Sequence, residues 1–145
     1  MKKIKYIAFL FSLLVIFSFT QKEEKTFIVI VNNETSIEGI DISYIEDLYL
    51  GDRTHWKKNK RANPTYLGEE FLCTNNFLND VLQMNYNEFK KLWIKNIFSG
   101  NGVAPKSFNS SESLIQFVIK TRGAVGIISV KDYAAIKGKV KIITL

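Results

Sequence analysis

Five cations crowd one indole in residues 53–61, RTHWKKNKR. Such a run can meet an anion or polyanion, with Trp56 as its anchor. It can equally be a solvated loop whose tryptophan packs down onto the domain, and this second reading is favoured. His55 is the only histidine. No second His or Cys stands at metal-ligand spacing, which argues against zinc. No G-x-S-x-G elbow accompanies it to make a serine triad. Asp41, Glu46, Asp47, Glu69 and Glu70 could pair as carboxylates, but they fall at helix starts or solvent faces, where helix stabilisation explains them. Neither G-x-x-x-x-G-K-[ST] nor G-x-G-x-x-G occurs. Gly100 and Gly102 follow a helix rather than open one. Cys73, the only cysteine, sits in the apolar run FLC and reads as a small buried residue. No catalytic residue and no metal or cofactor is therefore expected. The best binding candidate is the turn 65–68, read as opening a helix. A helix start presents free amides and positive potential. Thr65 and Tyr66 offer hydroxyls, Gly68 lets a backbone approach, and Arg53 supplies charge. Glu69 and Glu70 place negative charge in that same potential, which suits an ordinary capped helix better than an anion site.

The elements that would position these residues follow from pattern. Residues 26–31 are β-branched and aromatic with no polar face, which suits a strand covered on both sides, as in a parallel sheet. Ser43 and Glu46 have capping-box spacing for a short helix carrying Ile45, Leu48 and Tyr49, stopped by Gly51. Residues 52–63 read as a loop, and 64–67 as a short edge strand because Pro64 cannot donate to a ladder. A helix over 69–82 places Phe71, Phe77, Leu78, Val81 and Leu82 at helical spacing. Asn85 and Glu88 cap a third helix whose expected buried stripe is Phe89, Leu92, Trp93 and Ile97. A fourth helix begins at Asn109 with Glu112 three residues on, buries Leu114, Phe117 and Val118, and stops at Gly123. Residues 124–130 read as a central strand, in which Gly126 needs a close neighbour to justify it. A helical turn over 132–136 and a strand over 140–145 close the chain. The order predicts an α/β domain with a mixed sheet flanked by helices.

Three landmarks lie in this frame: LYLGDRTHW at 48–56, WIKNIFSGNGVAP at 93–105 and GAVGIISV at 123–130, preceded by the strand TFIVIVNN at 26–33. In this order and spacing the chain resembles the phosphate-type substrate-binding proteins of bacterial ABC transporters. That family carries a strand ending in VN, then IF-G-x-x-x-x-W, F-G-x-G-x-x-P and GAIGYV. The resemblance covers residues 26–130. It implies a type II periplasmic-binding-protein fold, non-catalytic binding, and a small oxyanion such as phosphate as ligand. Two departures matter. Such a receptor has two lobes with the ligand between them, whereas only a leader-like segment precedes residue 26 here. The family's phosphate-gripping R-x-x-x-SGT run is expected after the tryptophan, where this chain has NPTYLGEEF (63–71), lacking both the arginine and Ser-Gly-Thr. The resemblance thus implies a short single-lobe relative with its phosphate site weakened or lost.

Residues 1–20 read as a secretory signal peptide. Lys2, Lys3 and Lys5 precede an apolar run shorter than the ~20 residues a membrane span needs, and Ser18 and Thr20 suit a signal peptidase. Residues 21–145 then form one domain, periplasmic or secreted, with no membrane span after cleavage. The formal charge drops from +6 to +3 without the three leader lysines. That suits anionic small ligands or an anionic envelope surface, and is too weak to argue for nucleic acid. A single cysteine allows no internal disulfide, so stability must come from the core. Two other functions stand beside oxyanion binding: an envelope protein–protein interaction module that has lost its ligand and, more remotely, a small secreted hydrolase using His55.

Overall fold

The computed structural model describes residues 26–144; the expected signal peptide, and with it the boundary at residue 20, lies outside them. Strand β1 is Phe27–Asn32 and helix α1 is Ile42–Leu50. The cap of α1 is Asp41, whose Oδ1 accepts the Tyr44 N–H at 2.9 Å, rather than Ser43, which falls inside the first turn. Gly51 ends the helix as expected, at φ +87°. A β-carbon there would also stand 2.7 Å from the Trp93 ring, so the position needs glycine for space as well as for conformation.

Strand β2 spans Asn63–Leu67 and helix α2 spans Leu72–Asp80. Helix α2 starts three residues later than the pattern suggested. The Gly68 N–H still donates to Phe108 O at 3.1 Å, so the sheet holds the chain to that point. Residues 68–71 then turn, with the Phe71 N–H on Gly68 O. Helix α3, Tyr86–Phe98, has the expected capping box, with Asn85 and Glu88 exchanging bonds of 3.0 and 2.7 Å. Strand β3 is Lys106–Phe108, which the sequence reading left within a loop. Helix α4, Ser111–Lys120, is capped by Ser110 rather than Asn109. Strand β4 is Ala124–Ser129, helix α5 is the single turn Val130–Tyr133, and β5 is Val140–Ile143.

All five strands form one mixed sheet in the order β3-β2-β4-β1-β5. The three longest predicted strands share this sheet, with β4 at its centre. Two expectations change. Strand β1 runs antiparallel to both neighbours, and the parallel pairs are β2 with β3 and with β4. Strand β2 is interior, not an edge. Pro64 is tolerated there because the Asn63 N–H points at Gly123 O on the β4 side, so the Pro64 nitrogen faces the other side. Pairing with β3 begins only at Thr65, so no ladder bond is lost. Residues 124–128 are all buried, and since successive side chains point to opposite faces, both faces of β4 are covered. Gly126 is explained by α4: a β-carbon there would lie 2.6 Å from Leu114 Cδ2 and 2.8 Å from Thr65 Oγ1.

The core contains Phe89, Trp93 and Val118 as expected, and Cys73. Phe117 is only partly buried, its ring 5.3 Å from that of Phe108. Ile97 is exposed, contrary to expectation. The covered stripe of α3 ends at Trp93, whose Nε1–H donates to Tyr49 O at 3.0 Å; nothing covers the next turn. Trp56 packs down, buried and stacked on Tyr44 at 6.0 Å.

Gly123 sits at φ +79° with the Arg61 carbonyl where a β-carbon would project. Gly123→Ala combines left-handed strain of roughly 1–3 kcal/mol with that clash. Urea denaturation should show a loss of at least about 2 kcal/mol; a loss near zero would show that the loop yields freely.

Candidate functional site

The four residues singled out from sequence do not converge. Arg53 is exposed; its guanidinium lies 3.3 Å from Asp47 Oδ2 and 4.1 Å from the centroid of the Tyr44 ring. It lines a cleft of about 200 Å³ with His55, Arg61, Pro64 and Trp93, at the start of β2. Thr65 is fully buried within β2, its hydroxyl donating to Val125 O at 2.8 Å. Tyr66 is half-buried, edge-on to Phe89 at 5.3 Å. Gly68 follows the far end of β2, buried beneath the Glu70 carboxylate. Residues 65–68 thus belong to a strand and the start of a turn, and the helix opening expected there lies at Leu72.

That opening belongs to a larger feature. The parallel strands β2, β3 and β4 each run into a helix: α2, α4 and α5. The three helix starts share an open groove of about 880 Å³ at the carboxyl ends of the strands, with Leu72, Cys73, Ser111 and residues 129–132 among its walls. Ligands of open α/β sheets characteristically sit at such a place. The first amides of each helix have no intrahelical partner and carry the positive end of the dipole. Helix α5 is a single turn, so α2 and α4 supply most of that potential.

The side chains work against it. Lys131 brings one positive charge and Asp132 one negative charge. The Ser129 hydroxyl accepts the Asp132 N–H at 3.2 Å and so caps its own helix. Leu72, 67% exposed, and Val130, 44% exposed, present apolar surface where an anion would need donors. Glu69 and Glu70 lie in the turn that enters α2. Thr74 carries the one hydroxyl in the first turn of α2; it is fully buried, with no hydrogen-bond partner among the described residues. Cys73 lines the groove; burial pushes its thiol up from the ordinary value, and Asp132 adds to the effect. His55 is exposed and meets Thr54 Oγ1 at 2.8 Å. No cluster of three metal-ligating side chains occurs among the described residues. Sequence reading missed the groove because its walls come from four separate segments. The available signal was positional: each parallel strand is followed at once by a helix.

With this geometry established, the lobe is similar to solved phosphate receptors. PstS from Borrelia burgdorferi aligns with a TM-score of 0.62 at 14% identity, over 82% of this chain and 46% of that one. An ABC-type phosphate transport receptor from Vibrio cholerae aligns at 0.60 and 16%, over 83% and 47%. A candidate phosphate ABC transporter substrate-binding protein with bound phosphate, from Clostridium perfringens, aligns at 0.62 and 15%, over 83% and 46%. The chain therefore spans about half the length of these structures, and the fold is that of one periplasmic-binding-protein-like lobe. No protein-family model matches the chain, and no curated protein matches it in sequence.

Among the acidic groups that burial pushes up, the most enclosed are the Cys73 thiol and the Tyr49 phenol, the latter pushed far above its ordinary range; the Tyr86 phenol is raised as well. All three folded values are raised. Their stabilising contribution is thus intact below the unfolded thiol value of 9.0 and is lost as pH rises beyond it. The urea midpoint should fall between about pH 8 and about pH 10.5, and Cys73→Ala should remove the thiol's share. A midpoint that does not move would show that these groups ionise freely in the fold.

Proposed function

We propose that this chain is an exported, non-catalytic binding domain related to the phosphate and oxyanion receptors of ABC transporters, with a weakened or lost phosphate site. The observation that carries this reading is the groove at the starts of α2, α4 and α5. It retains the backbone frame of an anion site and lacks a side chain set to match. The groove is open to solvent among the described residues, so water competes for every amide, and the opposite charges of Lys131 and Asp132 offset one another. Residues 1–20 act as the leader and residues 21–145 as the working domain in the periplasm or outside the cell. No helix among the described residues is long and apolar enough to cross a membrane. Arg53 lines the second, smaller cleft together with Arg61, and is already engaged by Asp47.

A second reading is favoured by Leu72 and Val130. Exposed apolar side chains beside a groove are what a protein contact uses, so the same face serves as an interaction surface for an envelope partner.

Calorimetric titration of the protein with inorganic phosphate should give a dissociation constant near or above ~1 mM, about −4 kcal/mol. Lys131→Ala should weaken what binding there is more than Arg53→Ala or Thr65→Ala. Micromolar affinity would restore a full receptor and overturn the weakened-site reading.

Expressed in a host with a secretion pathway, the chain should lose residues 1–20. Intact mass spectrometry of the extracted protein reads this directly; a retained leader in the membrane fraction would replace export by anchoring.

A further inference from the structure

The last turn of α3 and the loop after it carry the most exposed apolar side chains among the described residues outside the groove. Phe98 is 88% exposed, Val103 72%, Ile97 53% and Ile94 52%. They are not scattered. Ile94 and Phe98 are four residues apart, one above the other on the helix, and Ile97 is beside them. Gly100, at φ +72°, ends the helix, and Val103 follows in the next loop.

The same helix carries Lys90, Lys91 and Lys95, all exposed. Lys91 and Lys95 are also four apart, and their row lies alongside that of Ile94 and Phe98. Lys90 stands one turn before Ile94. The two ion pairs formed among the described residues, Arg53–Asp47 and Arg122–Glu34, involve none of them. The one acid of the helix, Glu88, is spent on the capping box at the opposite end. Apolar side chains and cations without an ion-pair partner therefore share one helix end.

We propose that this tip docks on an anionic lipid bilayer, with Phe98, Ile94, Ile97 and Val103 entering the interface and the three lysines meeting lipid phosphates. Charge complementarity selects an anionic surface. Exposure selects a deformable one: Ile94, Ile97 and Phe98 are each more than half exposed, and Val103, on the rim of the small cleft, is 72% exposed, so a yielding surface can close around them. Lysine suits the role because its long stem lies along apolar surface while the ammonium reaches the headgroups. The arrangement is that of an interfacial helix end, not of a span.

The test is local, so that any membrane affinity of residues 1–25 does not confuse it. In the full chain, Phe98→Trp places a reporter at the tip, while Trp56 and Trp93, both buried, give a constant background. Vesicles of phosphatidylglycerol and phosphatidylcholine carrying bromine on the acyl chains should shift its emission to the blue and quench it. Pure phosphatidylcholine and high salt should weaken the effect. Replacing Lys90, Lys91 and Lys95 by Glu should abolish it, since each lysine near such a surface is worth about fivefold in partitioning; circular dichroism confirms that these surface variants stay folded. A control reporter at the exposed Ala135 should remain unquenched. Absence of quenching at position 98, or equal quenching at 135, overturns the proposal. So does a blue shift without lipid that tracks protein concentration in sedimentation, because a second copy would then be the occupant.

Discussion

The backbone of one residue, Gly123, holds the lobe together. Its carbonyl accepts the Trp56 indole N–H and the Asn63 backbone N–H, each at 2.9 Å. Its own N–H donates to Thr35 Oγ1 at 3.3 Å. Three segments distant in sequence thus meet on one residue, which must be glycine because the Arg61 carbonyl occupies the side-chain direction. Next to it, Asn32 at the end of β1 donates to the carbonyls of Val118 and Ile119, closing the carboxyl end of α4. These partners are buried, so each bond left unmade would cost a desolvated polar group, on the order of 1–3 kcal/mol. The node fixes the register of β2 against β4 at Asn63 and Ala124. A slip of one residue would turn every core side chain of either strand to the wrong face.

That constraint acts at the start of β4, and its consequence appears at the other end. With the strands locked in register, β2, β3 and β4 deliver α2, α4 and α5 to one groove. The scaffold therefore specifies where helix amides converge. It does not specify which side chains join them. Potential from a helix start is modest, about 0.3–1 kcal/mol for a charge at an exposed terminus. Firm anion binding needs charged or hydroxyl donors in addition. Here the added groups are a leucine, a valine, a lysine with an aspartate beside it, the Ser111 hydroxyl, the Ser129 hydroxyl engaged in its own helix cap, and the Thr74 hydroxyl turned into the core.

What was legible in the sequence was local and covalently close. The Asn85–Glu88 box, the Gly51 stop and the apolar run of β4 depend on neighbours within a few residues, and all three hold. What was not legible depended on distant partners. Hydrophobic pattern says that β1 is covered on both faces but is blind to strand direction. Pro64 looks like an edge residue unless the starting point of β3 is known. Glu69 and Glu70 mimic the first turn of a helix, yet Gly68 is claimed by Phe108 of the sheet, which delays α2. Ile97 fits a helical stripe, but the stripe is only as long as the surface that covers it. The candidate groove has no signature of its own, since each of its residues is ordinary until three strand ends bring them together.

The same distinction explains what the family resemblance transmits. The VN of β1 contributes Asn32, the tryptophan of LYLGDRTHW contributes Trp56, and GAVGIISV begins with Gly123; all three belong to the buried node. The remaining landmark contributes Trp93, whose indole bonds the last turn of α1 through Tyr49 O. In each motif the best-placed residue is thus a scaffold contact, while Thr26 of the first and Ser129 and Val130 of the last also reach the groove wall. Scaffold contacts are held by packing and by the cost of burying unpaired polar atoms, which persists whatever the domain binds. Groove residues such as Leu72 and Lys131 bear no such load. The fold can therefore persist at 14–16% identity to solved phosphate receptors on scaffold contacts alone, and a shared fold does not carry a shared site.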